Sequence, residues 1–151
     1  MALILTTELG SIRLALKPEV APVTAAHITR HVKEGLYHDT TFYRSDFVIQ
    51  CGTWGTAKAS SHPPLAVNES GRGASNVRGT AAIAHHDRPD CGSTEMFINL
   101  ADNSHLDSAY GGYAVFAAVA AEDAASWATV SAIAAAVKQG RKPRITKAEV
   151  V

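Results

Sequence analysis

Apolar positions come first in two short runs, Ala2 to Thr7 and Ser11 to Leu16, separated by Glu8-Leu9-Gly10. Two β-rich runs joined by a short glycine-containing loop predict a β-hairpin. The period then changes. Pro22 stands where it can open a helix, and Val23, Ala26, His27, Arg30 and Val32-Lys33 follow at roughly helical spacing. Gly35 supplies a C-terminal cap. Short β-rich runs return at Phe42 to Arg44 and Phe47 to Cys51, joined by Ser45-Asp46.

From Thr53 to Arg78 the chain turns to Gly, Ser, Pro, Asn and small polar residues, which predicts a long surface excursion with a short strand around Leu65 to Val67. Long loops in compact domains often serve function. Thr80 to Ala84, Met96 to Leu100 and Tyr113 to Val119 read as three more strands. Glu122 to Val137 is alanine-rich, with Trp127, Val130, Ile133 and Val137 on one helical face and Gly140 as terminator. Pro143 to Val151 alternates apolar and polar side chains, as a closing strand does. Two helices among about eight short strands predict a mainly-β fold, closed into an antiparallel barrel with a helix over each open end, because closure removes exposed edges. No repeat or linker divides residues 1–151, so one domain is expected.

Composition narrows the function. With 46% hydrophobic and 19% charged residues the chain is of ordinary globular make-up. Its 14 basic and 14 acidic side chains cancel, without the basic excess that displaces counterions from nucleic acid, so no nucleic-acid partner is expected. No apolar run approaches the roughly 20 residues of a membrane span, and MALILTTELG lacks the basic lead and cleavage pattern of a signal peptide. A cytoplasmic monomer without membrane contact is the expectation. Cys51 and Cys91 form no CxxC pair and read as buried or half-buried thiols.

Five segments, in order, resemble the cyclophilin family of peptidyl-prolyl isomerases. They are FYRSDFVIQCG, NESGRGASNVRGTAAIA, STEMFINLADNSHLD, GGYAVFAAV and the ending KPRITKAEVV, closest in style to bacterial-type members. The resemblance implies an eight-stranded antiparallel barrel capped by two helices, in agreement with the count of elements above. It implies an enzyme that speeds rotation about X-Pro bonds in peptides and protein clients and so assists folding. By the same resemblance the active-site arginine falls on Arg44, and the motif's glutamine on Gln50. The walls of a proline pocket fall on Phe47, Val48, Phe97 and Leu106. Ala84 and His85 occupy the strand end that binds substrate backbone, Glu95 takes a substrate-contacting glutamine's place, and Tyr113 stands where many members have histidine.

The chemistry suits those residue types. An X-Pro bond isomerises over a barrier of about 18–20 kcal/mol, and an ordinary turnover requires lowering it by roughly 4–6 kcal/mol. No bond breaks, so neither nucleophile nor metal is needed, only tighter binding of the twisted amide than of either planar form. The twisted prolyl nitrogen gains a lone pair that a guanidinium can hydrogen-bond. Such a charge-assisted bond contributes about 1.5–3 kcal/mol, so an apolar grip on the ring must supply the rest.

Departures from the family pattern set further expectations. Only Ser45 and Asp46 separate Arg44 from Phe47, which tightens the turn and brings a carboxylate to the arginine. The usual Gln-Phe-Phe reads Glu95-Met96-Phe97, and His105 stands where a tryptophan helps cyclosporin bind, so cyclosporin affinity is expected to be weak. The alternative is a cyclophilin-like module that docks proline-containing segments with little turnover. A metal site is the weaker rival: His85, His86, Asp87 and Cys91 crowd one segment, but paired ligand spacings are missing and adjacent strand residues face opposite ways. A cysteine hydrolase on Cys51 or Cys91 has no motif behind it. No cofactor and no metal are expected.

Overall fold

A computed structural model describes all 151 residues. Eight strands form one sheet: β1 (Ala2–Thr7), β2 (Gly10–Leu16), β3 (Thr41–Ser45), β4 (Val48–Gly52), β5 (Thr80–Ile83), β6 (Met96–Asn99), β7 (Val115–Ala118) and β8 (Ile145–Val150). Their order is β3-β4-β6-β5-β7-β2-β1-β8, and every pairing is antiparallel. The two end strands meet at a bridge between Thr41 and Arg144, where Ile145 N donates to Thr40 O at 2.7 Å and Phe42 N to Pro143 O at 3.0 Å. The sheet is thereby an almost closed barrel.

Alternation along the strands fills the interior. Leu3, Leu5, Ile12, Leu14, Ile49, Ile98 and Phe116 are fully buried in the main core. Helix α1 (Pro22–Lys33) packs on β7 and β8, and α2 (Ala124–Lys138) on β2, β3 and β4. Asp123 starts α2 by accepting from Ser126 N at 3.1 Å, a side-chain cap for an orphan amide. The expected face holds there: Val130 and Ile133 are buried and Trp127 and Val137 pack against the core. Trp127 lies over Gly79, whose φ of +88° and lack of a Cβ admit the ring.

Helix α1 corrects its expected face. Val23, Ala26 and Arg30 are exposed, while Thr24, Ala25, His27, Ile28, His31 and Val32 turn inward. Two histidines can face the core because each finds a partner: His27 Nε2 lies 3.1 Å from Ser93 O, and His31 Nε2 2.7 Å from Ser60 Oγ. No side chain of its own caps α1. Instead Glu69, buried in the long excursion, accepts from Thr24 N at 2.6 Å and Thr24 Oγ1 at 2.7 Å, placing an anion at the helix N-terminus.

The strand expected at Leu65 to Val67 does not form. Pro63 and Pro64 offer no amide hydrogens before it, and Leu65 makes a lone backbone bond to Gly92 O at 2.8 Å. Other boundaries shorten, with Ala84 and Tyr113 falling just outside β5 and β7. No helix is long and apolar enough to cross a membrane.

Candidate active site

Four strands present a second, smaller apolar cluster on their outer face. Val48, Ala82, Phe97, Leu106 and Val115 are buried together there, with Ala84 and Tyr113 packed against them. Val48, Phe97, Leu106, Ala84 and Tyr113 line a groove of about 920 Å³. The expected pocket residues Val48, Phe97 and Leu106 therefore converge, although they lie far apart in the chain. Leu106 sits on a short 3-10 turn (Ser104–Asp107) that the long excursion braces. Asp107 accepts from Asn76 N at 2.8 Å and from Asn76 Nδ2 at 2.9 Å, and from Ser75 Oγ as well. Burial opposes ionisation of Asp107, but these hydrogen bonds outweigh it and hold its carboxyl below the ordinary range.

Phe47 forms the rim rather than the floor. It is 39% exposed and meets His105 edge-on, with ring centroids 5.4 Å apart. Its carbonyl accepts from Leu100 N and Asn103 Nδ2, each at 3.0 Å, which fixes the tight turn between β3 and β4. Asp46 closes that turn by accepting from Val48 N at 3.1 Å.

Arg44 lies over Phe47, its guanidinium carbon 5.4 Å from the ring centroid. Nε donates to Asp46 Oδ2 at 2.9 Å and Nη1 to Gln50 Oε1 at 3.0 Å. The expected pairing with Asp46 thus forms, yet it engages only Nε, and Nη2 is left without a partner in the chain. An exposed pair of this kind contributes about 0–1 kcal/mol, so it restrains the arginine weakly.

Sequence reasoning did not find Tyr43. Neighbouring residues in a regular strand face opposite ways, which would turn Tyr43 from the site if Arg44 faces it. The register of β3 against β4 shifts between Phe42 and Arg44, however, and this bulge brings both side chains to Gln50. Gln50 Nε2 donates to the Tyr43 hydroxyl at 2.8 Å, and that hydroxyl donates to Glu95 Oε1 at 3.0 Å. Burial, then the neighbouring Glu95, pushes the Tyr43 phenol well up. Trp54, also unanticipated, is 66% exposed at the groove and packs on Tyr43 with centroids 5.0 Å apart. An exposed tryptophan in a polar loop was the available signal.

The opposite side of the groove is built from backbone and rings. Ala84 N donates to Glu95 O at 2.9 Å, whereas the Ala84 carbonyl accepts no hydrogen bond from the chain. His85 stacks on Tyr113 with centroids 4.1 Å apart and planes within 9°, and Tyr113 meets Phe97 edge-on at 5.6 Å. Burial raises the Tyr113 phenol, with the Tyr110 hydroxyl adding to it.

No three His, Cys, Asp or Glu side chains converge as metal ligands. Cys51 is fully buried and its thiol is pushed well up by burial and then by Glu95, the reverse of what a nucleophile requires.

An almost closed eight-stranded barrel with two helices, carrying an arginine beside an apolar outer groove, defines a known class of protein. A sequence profile described as cyclophilin type peptidyl-prolyl cis-trans isomerase/CLD matches residues 2–151. Peptidyl-prolyl cis-trans isomerase A of Dickeya dadantii is 37% identical over 122 residues, covering 77% of this chain and 64% of that protein. A peptidyl-prolyl cis-trans isomerase of Acinetobacter baylyi is 38% identical over 120 residues, covering 75% of this chain and 63% of that one. The crystal structure of a Cryptosporidium parvum cyclophilin type isomerase, in the presence of the dipeptide Ala-Pro, superposes with a TM-score of 0.82 at 16% identity, over 100% of this chain and 99% of the other. The chain belongs to the cyclophilin-type peptidyl-prolyl cis-trans isomerase family. It spans about 64% of the length of the bacterial relatives named here.

Proposed function

We propose that this protein is a peptidyl-prolyl cis-trans isomerase acting on X-Pro bonds in peptides and protein clients, with a role in assisting folding. The observation that carries this reading is a guanidinium held at Nε by Asp46 and at Nη1 by Gln50, with Nη2 left free, beside an apolar groove. The proline ring enters between Phe47, Val48, Phe97 and Leu106. Arg44 Nη2, free of other partners, donates to the prolyl nitrogen as resonance is lost. That donation is stronger to the twisted amide than to either planar form, which is what lowers the barrier. The open Ala84 carbonyl takes an amide hydrogen from the peptide, His85 and Tyr113 wall the far side, and no metal or cofactor takes part. The Ala-Pro dipeptide present with the Cryptosporidium relative supports a proline ligand.

The test is acceleration of cis–trans exchange in an Ala-X-Pro-Phe-type peptide by the wild type and by Arg44→Ala. A loss of roughly 10- to 100-fold in kcat/KM is expected for the variant, the weight of one charge-assisted hydrogen bond. Equal acceleration by both proteins would remove Arg44 from the mechanism. No acceleration by either would favour a module that binds proline segments without turnover.

A further inference from the structure

Glu95 faces the groove from β6's leading edge, and both its oxygens are already engaged. Oε1 accepts from the Tyr43 hydroxyl at 3.0 Å and Trp54 N at 3.1 Å, and Oε2 from Thr53 N at 3.2 Å and Thr94 Oγ1 at 2.6 Å. Gly52 makes room for this carboxylate: its φ is +155°, and a Cβ there would collide with the Glu95 carboxyl group. A group so fully occupied is poorly suited to contact substrate directly.

Its occupation has a direction. A carboxylate only accepts hydrogen bonds and a guanidinium only donates them. Between Glu95 and Arg44 stand two groups that can do either, the Tyr43 hydroxyl and the Gln50 amide. With an acceptor at one end and a donor at the other, one arrangement satisfies every link. Tyr43 gives its proton to Glu95, Gln50 Nε2 gives one to the Tyr43 oxygen, and Gln50 Oε1 is left facing Arg44 Nη1. The flipped amide would set an NH₂ group against the guanidinium. A glutamine at position 95 could donate to the Tyr43 hydroxyl or accept from it, and would leave the direction of that link open.

We propose that Glu95 is a positioning residue, which acts through Tyr43 and Gln50 to hold the Arg44 guanidinium at Nη1 and leave Nη2 for the prolyl nitrogen. The proposal rests on the isomerase reading above. Tyr43→Phe cuts the relay while leaving the other three bonds to Glu95 in place, so it keeps the test open should a Glu95 variant fail to fold. In the peptide assay, Tyr43→Phe should lower kcat roughly three- to tenfold, the weight of one net hydrogen bond, with KM within about twofold. The same substitution should change nothing further in an Arg44→Ala background, because its effect passes through that side chain. An unchanged kcat, or an equal loss in the Arg44→Ala background, overturns the proposal.

A second readout does not depend on turnover. Nitrogen-15 NMR of the Arg44 guanidinium reports rotation about the Nε–Cζ bond, which should quicken roughly three- to tenfold in Tyr43→Phe. Equal rotation rates in the two proteins overturn the relay. If the wild type fails to accelerate isomerisation, the isomerase reading falls, while the guanidinium rotation, quicker in both Tyr43→Phe and Glu95→Gln if the relay holds Arg44, still decides whether Glu95 positions Arg44 through Tyr43.

Discussion

Val48 and Ile49 are neighbours in β4 and serve two different apolar clusters. Ile49 points inward with Ile98 and Phe116 into a core sealed on every side. Val48 points outward with Phe97 and Leu106 into a cluster that lines an open groove. Strands β4 to β7 contribute to both, because successive side chains in a strand face opposite ways. What differs is the cover. The barrel closes over the inner cluster, whereas a 3-10 turn and a braced loop only wall the outer one. An apolar surface left uncovered by its own chain is a site for another chain's side chain.

The largest expected difference between the two clusters is in stability. Phe116→Ala empties a sealed site and should cost about 3–5 kcal/mol by urea unfolding. Phe97→Ala lies beside an open groove and should cost less than half of that. If the two cost the same, the outer cluster is core and not a pocket.

The reverse ranking should hold for activity. Losing the Phe97 wall removes part of the ring's burial, which for a whole apolar side chain is about 1.5–3 kcal/mol, so kcat/KM should fall roughly tenfold or more. A conservative Phe116→Leu should leave kcat/KM within about twofold once both proteins are folded.

A pH dependence separates the barrel's helical flank from its groove. Burial, then the neighbouring His27, lowers His31 from 6.5 to about 4, and its Nδ1 has no partner. The flank around it holds His27, Arg30, Glu34 and His62, the last paired with Glu34 at 2.5 Å. Because the folded state binds this proton less readily than the unfolded chain, the stabilisation is fully present above pH 6.5 and is lost as pH falls toward 4. The melting temperature should decline over that window, and His31→Gln should flatten the decline. An identical slope in both proteins would place the acid sensitivity elsewhere.

The smallest effect belongs to the rim. Asp46→Asn keeps an acceptor for Val48 N and removes the charge facing Arg44, so kcat/KM should change by less than about fivefold. A tenfold gain would show that the ion pair withholds Arg44 from substrate. Cyclosporin should bind with a dissociation constant no tighter than micromolar, since His105 takes the tryptophan position, and calorimetry measures this directly.

Much of this was legible in the sequence because strand and helix periods declare which residues face inward. Val130 and Ile133 fall where helical spacing puts them. The pocket residues Val48, Phe97 and Leu106 were legible only through the family resemblance, since a half-open cluster has the same composition as a core. Three features were not legible. Tyr43 joins the site through a bulge, and no periodicity marks a register shift. Of the α1 residues read at helical spacing, His27 and Val32 turn inward, but Val23, Ala26 and Arg30 give way to Thr24, Ile28 and His31, and partners from distant loops make the buried histidines tolerable. The bracing of Leu106 by Asn76 joins residues far apart in sequence through one carboxylate, Asp107.

The most direct measurement is a nitrogen-15 NMR titration of the protein with a short proline-containing peptide. Amide shifts should concentrate at Phe47, Val48, Ala84, Phe97 and Leu106, with Ile49, Ile98 and Phe116 moving least despite being their neighbours in sequence or across the sheet. Shifts centred anywhere other than the outer cluster, or none at millimolar peptide, would contradict the assignment of that open cluster as the proline-binding groove.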